Sequence, residues 1–262
     1  MDRKQKATTE LDTNSKNTRV QPVFRWLKAN AGPSWPAQLI TLAHGLTGRP
    51  NDFGSIVNVT LDPECCVPAT HDRLAWMLAN AEKLVPKEGR RWRSFRDRLS
   101  NRDEIEKALS TLHRGMLPER KLILEGPTHC DCLIECERAF VWIEGKRYDW
   151  LAPSIDWDVT RDQLARNVEA VWWLARRRSK EVSEEVYYCM LLCHEGELKH
   201  HEIQLLEGYR QGTWSAGWPH ISEDLRREFA TRIGTVTWSK IADTWPALRQ
   251  EMGNAEHARH HR

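Results

Sequence analysis

Leu124–Lys146 reads LEGPTHCDCLIECERAFVWIEGK. Gly126–Pro127 breaks the backbone, and two strand-like runs follow, His129–Cys136 and Ala139–Lys146. They are joined by a tight connection at Glu137–Arg138, so the pair is predicted to be an antiparallel hairpin. With the turn centred there, Cys136 opposes Ala139 and Asp131 opposes Glu144. Strand side chains alternate, so Asp131, Glu144 and Lys146 are expected on one face. Carboxylates placed opposite each other repel. A divalent cation removes that penalty, and Mg²⁺ suits a site of one or two carboxylates that leaves room for several waters. Lys146 stands where it can orient a water on the ion and steady charge building on a phosphate. This combination points to phosphodiester hydrolysis. The competing reading is a surface acid–lysine cluster on a solvated strand.

Outward from the hairpin the element edges are clear. Upstream, Asn101 followed by Glu104 forms a capping-box-like start, and Ile105, Ala108, Leu109, Leu112 and Met116 make one apolar stripe. Gly115 and Pro118 close that helix. Lys121–Glu125, KLILE, reads as a further strand. Downstream, Thr160 and Gln163 suggest a second capping box, and Leu164, Val168, Val171, Trp172 and Ala175 trace an amphipathic helix to about Arg178. Val186–Cys193, VYYCMLLC, is apolar on both faces, as in a buried central strand. A helix between the third and fourth strands predicts a parallel crossover, and the first three strands are expected to form an antiparallel meander. Further helices are expected at His71–Leu84, near Glu197–Gln211, near Ser222–Ile233 and near Ser239–Gln250. Residues 22–68 give mixed signals.

The acid in the first strand of the hairpin and the acid-x-Lys in the second, Glu144–Gly145–Lys146, resemble the signature of the PD-(D/E)XK nuclease superfamily, the restriction-endonuclease-like fold. The predicted order, αβββαβ, is that family's core order. Arg161–Asn167, RDQLARN, is similar to the Gln-x-x-Arg-Asn pattern of some branches. The sequence departs from the pattern at Cys130, where the family has proline. The resemblance covers about residues 101–194 and implies an α/β fold with a mixed sheet flanked by helices. It also implies a DNA-hydrolysing enzyme using Mg²⁺ or Mn²⁺. By that resemblance Asp131 and Glu144 are metal ligands, the Gly145 carbonyl is a third, and Lys146 is the base helper or charge stabiliser. Glu104 is the candidate for an additional acid from the first helix, with capping as its rival role. Glu125, at the end of the KLILE run, either reaches the metal or is a solvated strand-end acid. Gln163 and Asn167, one turn apart, are placed to bond the lysine, a water or a phosphate; helix capping competes for Gln163. Arg166 and Asn167 are candidate nucleic-acid contacts. Arg176, Arg177 and Arg178 read either as phosphate contacts or, more commonly for such a run, as a solvated helix end.

Composition sets the remaining bounds. The chain has 262 residues, 40% apolar and 29% charged, with a net charge of +2. Nucleic-acid binding must therefore come from local clusters rather than a global field. Arg90–Arg102 is one such cluster, read either as a solvated basic helix face or as a phosphate-contacting surface. No apolar run approaches the roughly 20 residues of a membrane helix, and residues 1–20 lack a signal peptide's apolar stretch, so a cytoplasmic location is expected. Residues 1–20 and 253–262 are expected to be disordered tails around one domain, 21–252. Seven cysteines with no Cys-x₂-Cys pairs read as reduced core thiols, with a zinc module as a lesser reading. A catalytically inactive nuclease-fold scaffold is the alternative function. Double-strand cleavage from one site would call for a homodimer.

Overall fold

The computed structural model describes residues 15–61, 65–85, 99–147, 151, 158–198 and 200–260. The arginine-rich stretch lies outside these up to Arg98, as does the predicted N-terminal tail up to Asn14. The chain enters through a π-helical turn, Lys16–Val20, that runs directly into α1 (Gln21–Asn30). Ser15, Thr18, Arg19 and Val20 are buried, so the expected tail is structured from Ser15 on. Helix α2 (Trp35–Leu42) and strand β1 (Ile56–Leu61) follow. A short strand β2 (Cys66–Val67) leads to α3 (His71–Ala79), which ends earlier than its periodicity suggests. Helix α4 (Arg102–His113) starts at Asn101, whose side chain accepts from the Glu104 amide.

The KLILE run forms no strand. Arg120–Leu122 is a 3-10 turn, and Leu122 and Leu124 are buried against α3 and α4 beside Leu74, Met77 and Leu112. Alternating apolar residues report burial, not a hydrogen-bonding partner. The edge of the hairpin that KLILE was expected to occupy is filled by β1, from the stretch whose signals were mixed. Strand β3 (Thr128–His129) pairs with β2, and β4 (Cys132–Cys136) pairs with β5 (Ala139–Gly145) in the expected register, Cys136 opposite Ala139.

Helix α5 (Gln163–Val182) is capped by Asp162, whose carboxylate accepts from the Ala165 amide at 2.9 Å; Thr160 is not the cap. Its stripe of Leu164, Val168, Val171, Trp172 and Ala175 is buried as the spacing predicts. Strand β6 (Tyr187–His194) runs parallel to β5, which is the expected crossover. Helices α6 (His200–Arg210) and α7 (Glu223–Thr231) precede β7 (Ile233–Thr237), which pairs parallel with β6. Strand β7 occupies the connection between two expected helices, where no strand was expected. Helices α8 (Trp238–Thr244) and α9 (Ala247–His260) complete the fold, and α9 carries regular structure through most of the predicted C-terminal tail.

Among the described residues the main sheet has order β1-β4-β5-β6-β7. It is mixed: antiparallel on the β1 side, parallel from β5 onward. Parallel strands are normally covered on both faces. Here one face carries Cys132, Ile134, Val141, Ile143 and Leu191 against the entry turn, α1, α2, α8 and α9. The other carries Phe140, Trp142, Met190 and Leu192 against α5, α6 and α7. The structure is therefore mixed α/β with helices on both sides. No helix of the described residues is long and apolar enough to cross a membrane.

Candidate active site

The C-terminal ends of β5 and β6 and the N-terminus of α5 bring the sequence candidates together. Glu144 lies on the α5 side of the sheet and is only 4% exposed. Its Oε1 accepts from Gln163 Nε2 at 2.6 Å and lies 3.0 Å from Lys146 Nζ. Its Oε2 accepts from Asn167 Nδ2 at 3.0 Å. Asn167 is fully buried and is itself oriented by Thr128 Oγ1, which donates to its Oδ1 at 3.0 Å. Gln163 and Asn167 thus act as a pair, one helical turn apart, and both fix the same carboxylate. Asn167 faces Glu144 rather than an external ligand.

Asp131 reaches the site by a different route from the one alternation predicts. The strand is interrupted before Cys132, and Cys130 packs with Phe140, Trp142 and Leu192, the opposite face from Cys132 and Cys136. Strict alternation would place all three cysteines together, so the backbone turns over at Cys130–Asp131. Asp131 Oδ2 instead accepts from the Gly145 amide at 2.9 Å, at the end of β5. Gly145 is thereby held between the two acids. Lys146 is fixed on both sides of its peptide, its N–H donating to Cys193 O at 2.7 Å and its carbonyl accepting from Trp238 Nε1 at 3.0 Å.

Gly145 is also where the entry turn touches the site. Ser15 Oγ donates to the Gly145 carbonyl at 2.6 Å. A Cβ on Gly145 would collide with Val20 Cγ2, stand 3.1 Å from Trp238 Cζ2 and lie 3.6 Å from Asp131 Oδ2. Arg19, two residues before the α1 junction, pairs with Glu195 just beyond β6, its Nε 3.0 Å from Oε2. None of Ser15, Arg19 and Trp238 was singled out from the sequence. Ser15 and Arg19 carry no local signal of burial, and Trp238 lies in the connection between two expected helices, after a strand that was not expected.

The other candidate acids have different partners. Glu125 is buried in an ionic cluster: Arg73 Nε at 3.1 Å, Arg161 Nε at 2.9 Å and Arg166 Nε at 3.3 Å surround its carboxylate. Arg73 also holds Asp158 at 2.8 Å, and Arg161 holds Glu169 at 2.9 Å. Thr70 Oγ1 donates to Glu169 at 2.6 Å, and His220 Nε2 lies 3.0 Å from the same oxygen. Burial pushes Glu125 up, but Arg161, Arg73 and Arg166 outweigh it and hold the carboxyl below its usual range. Glu169 is likewise held low against its own burial, by Arg161 and His220. Glu169 sits in the buried stripe of α5, and a charge at such a position was the available sign of a buried partner. Glu104 lies on α4 and pairs with Lys121 at 2.6 Å. Arg166 is committed to Glu125 and donates to the carbonyls of Gly126 and Pro127 at 3.0 and 3.2 Å.

Asp131, Glu144 and the Gly145 carbonyl offer carboxylate and carbonyl oxygens, a hard set of the kind Mg²⁺ and Mn²⁺ select. Asp131, Glu144 and the Gly145 carbonyl are the residues that would hold such an ion, since a carbonyl keeps a second lone pair beside its bond from Ser15. Among the described residues no group of three or more His, Cys, Asp or Glu side chains forms a metal cage. Comparisons with protein-family models, with curated proteins and with solved structures find no match.

Proposed function

We propose that the chain is a metal-dependent nuclease hydrolysing phosphodiester bonds of DNA, on a restriction-endonuclease-like core. The observation that carries this reading is the buried Glu144 carboxylate, ringed by Lys146, Gln163 and Asn167, with Asp131 tied to the amide of the next residue. A carboxylate so placed is costly unless its donors and a cation share its charge. Bound Mg²⁺ or Mn²⁺ would supply Lewis acidity and lower the pKa of a coordinated water. The chain's own groups do the rest. Gln163 and Asn167 fix the plane of Glu144, so its oxygens meet an incoming ion without reorganisation. Asp131, braced on the Gly145 amide, supplies the second carboxylate. The Lys146 ammonium, 3.0 Å from Glu144, balances negative charge as it builds on the phosphate oxygens. A dimer would place two such sites on opposite strands of a duplex.

The test is cleavage of plasmid, linear and single-stranded DNA with Mg²⁺ or Mn²⁺. Wild type is expected to cut at least one of these, and Lys146→Ala to lose at least about 100-fold in rate, equivalent to ~2.7 kcal/mol. Equal behaviour of the two proteins on every substrate ends the enzymatic reading. A second reading, a catalytically silent nucleic-acid-binding scaffold, is favoured by the Ser15 bond to the Gly145 carbonyl. Calorimetry separates the two: the enzyme binds Mn²⁺ in a way that Asp131→Ala abolishes, and the scaffold does not.

A further inference from the structure

We propose that the groove between α6, α7 and the turn at residues 44–47 binds a segment of single-stranded nucleic acid, with a base stacked on Trp214 and phosphates at Arg210 and Arg226. The groove measures about 930 Å³, the upper end of the range for small-molecule pockets. Its floor is aromatic: the Tyr209 and Trp218 rings are buried with centroids 4.4 Å apart. Their polar ends are already used, Tyr209 Oη on Asp162 Oδ2 at 2.6 Å and Trp218 Nε1 on the Ala165 carbonyl at 3.0 Å. Both rings are almost fully covered, so they form a rigid base beneath the groove rather than a contact surface.

Trp214 is the platform. It is 42% exposed, a large indole left facing water. It is also held in place. The amides of Thr213 and Trp214 both donate to the Gly208 carbonyl, at 2.9 and 3.1 Å. The ring packs over Gly208 so closely that a Cβ there would stand 2.8 Å from Trp214 Cε3. A fixed, exposed indole stacks a planar ligand at little cost in side-chain entropy.

The rim supplies the charge. Arg210 and Arg226 line the groove, and among the described residues neither guanidinium has a carboxylate within ion-pairing distance. The buried Nε of Arg226 has no hydrogen-bond partner. The Arg210 guanidinium crosses over Gly45, where a Cβ would collide with it. The acid in the groove, Glu223, is already paired with Arg227 at 2.7 Å. Two available cations beside an exposed indole match a flat base joined to an anion. A purely apolar ligand would leave the arginines unused, and a small carboxylate would leave the indole unused.

The groove also connects to the acid cluster. Tyr209 bonds Asp162, the cap of α5, and the next residue, Gln163, holds Glu144. The choice of a strand over a free nucleotide rests on the phosphodiesterase reading above.

The experiment is fluorescence anisotropy of a labelled single-stranded deoxyadenylate about 12 nucleotides long, in EDTA so that no cleavage intervenes, with adenosine monophosphate as competitor. The wild-type protein is expected to bind it. Trp214→Ala weakens binding about tenfold, Trp214→Phe retains most of it, and Arg226→Ala lowers the salt slope by roughly 0.7. Thermal melts check that each variant folds; should Trp214→Ala fail to fold, Arg226→Ala and Arg210→Ala decide. Wild-type-like binding by these variants overturns the proposal, as does absence of oligonucleotide binding. Adenosine monophosphate binding as tightly as the oligonucleotide overturns the strand. Binding through Trp214 without Lys146-dependent cleavage upholds the groove and removes the hydrolytic reading. Lys146-dependent cleavage with unchanged binding in Trp214→Ala and Arg226→Ala removes the groove alone.

Discussion

Gly145 shows how much one position can carry. It offers its amide to Asp131 and its carbonyl to Ser15, and it leaves room for Val20 and Trp238. Gly145→Ala is therefore expected to destabilise by about 1–3 kcal/mol through overpacking. Val20→Ala should recover part of that loss, because the collision is with a Val20 methyl. Urea melts of both single variants and the double variant measure the coupling, and additive losses would mean that the contact is relieved elsewhere. Asp131, Glu144 and Lys146 were legible as candidates from strand alternation, and Gln163 and Asn167 from the resemblance of Arg161–Asn167 to a family pattern. Their detailed roles were not. Asn167, a candidate nucleic-acid contact, orients Glu144, while Glu125, a candidate metal ligand or solvated strand-end acid, is locked among arginines. Spacing places a residue on a face, but only the neighbouring element settles what that face meets.

Helix α5 joins the two halves of the site, and its N-terminus depends on Asp162. That carboxylate caps the Ala165 amide and accepts from Tyr209 Oη, an element distant in the chain. Asp162→Ala is expected to cost about 2 kcal/mol, more than an ordinary exposed cap, since a buried hydroxyl loses its acceptor as well. A thermal or chemical melt tests the size. A drop no larger than that of Ser222→Ala, which removes the exposed cap of α7, would show that the Tyr209 bond contributes nothing. The hairpin, the crossover and the buried strand β6 were readable from periodicity. KLILE was misread because its apolar residues bury against helices rather than pair. Strand β1 was missed because it lies in a stretch of mixed signals and β7 because it lies between two helical signals, and each has an Asn or Gly at an interior position.

The molecule as a whole is stitched by its buried charges. Glu125 and Glu169 have folded-state pKa values below those of the unfolded chain. Their stabilising contribution is therefore complete above the unfolded carboxylate value of about 4.3. It is lost as pH falls through the lower folded values. Stability should decline progressively with acid below about pH 4.3, and Arg73→Met, which removes one of the three arginines around Glu125 and the arginine partner of Asp158, should cost about 3–5 kcal/mol at neutral pH. Urea midpoints measured across the acid range check both; a midpoint flat with pH would contradict the linkage. The cysteines give a second test. Six of the seven are buried and Cys66 is exposed, with burial raising Cys136 to about 11 and Cys189 to about 12. A thiol reagent should label one cysteine rapidly in the native protein and all seven after denaturation. The α/β class, the hairpin register and the parallel crossover follow from local periodicity, because the chain's apolar spacing dictates which faces must be buried. Which strand fills the sheet edge, how Asp131 reaches Gly145, and which arginines surround Glu125 were decided only when distant segments packed. Such choices depend on competition between elements for the same buried surface, and no local stretch of chain records its competitors.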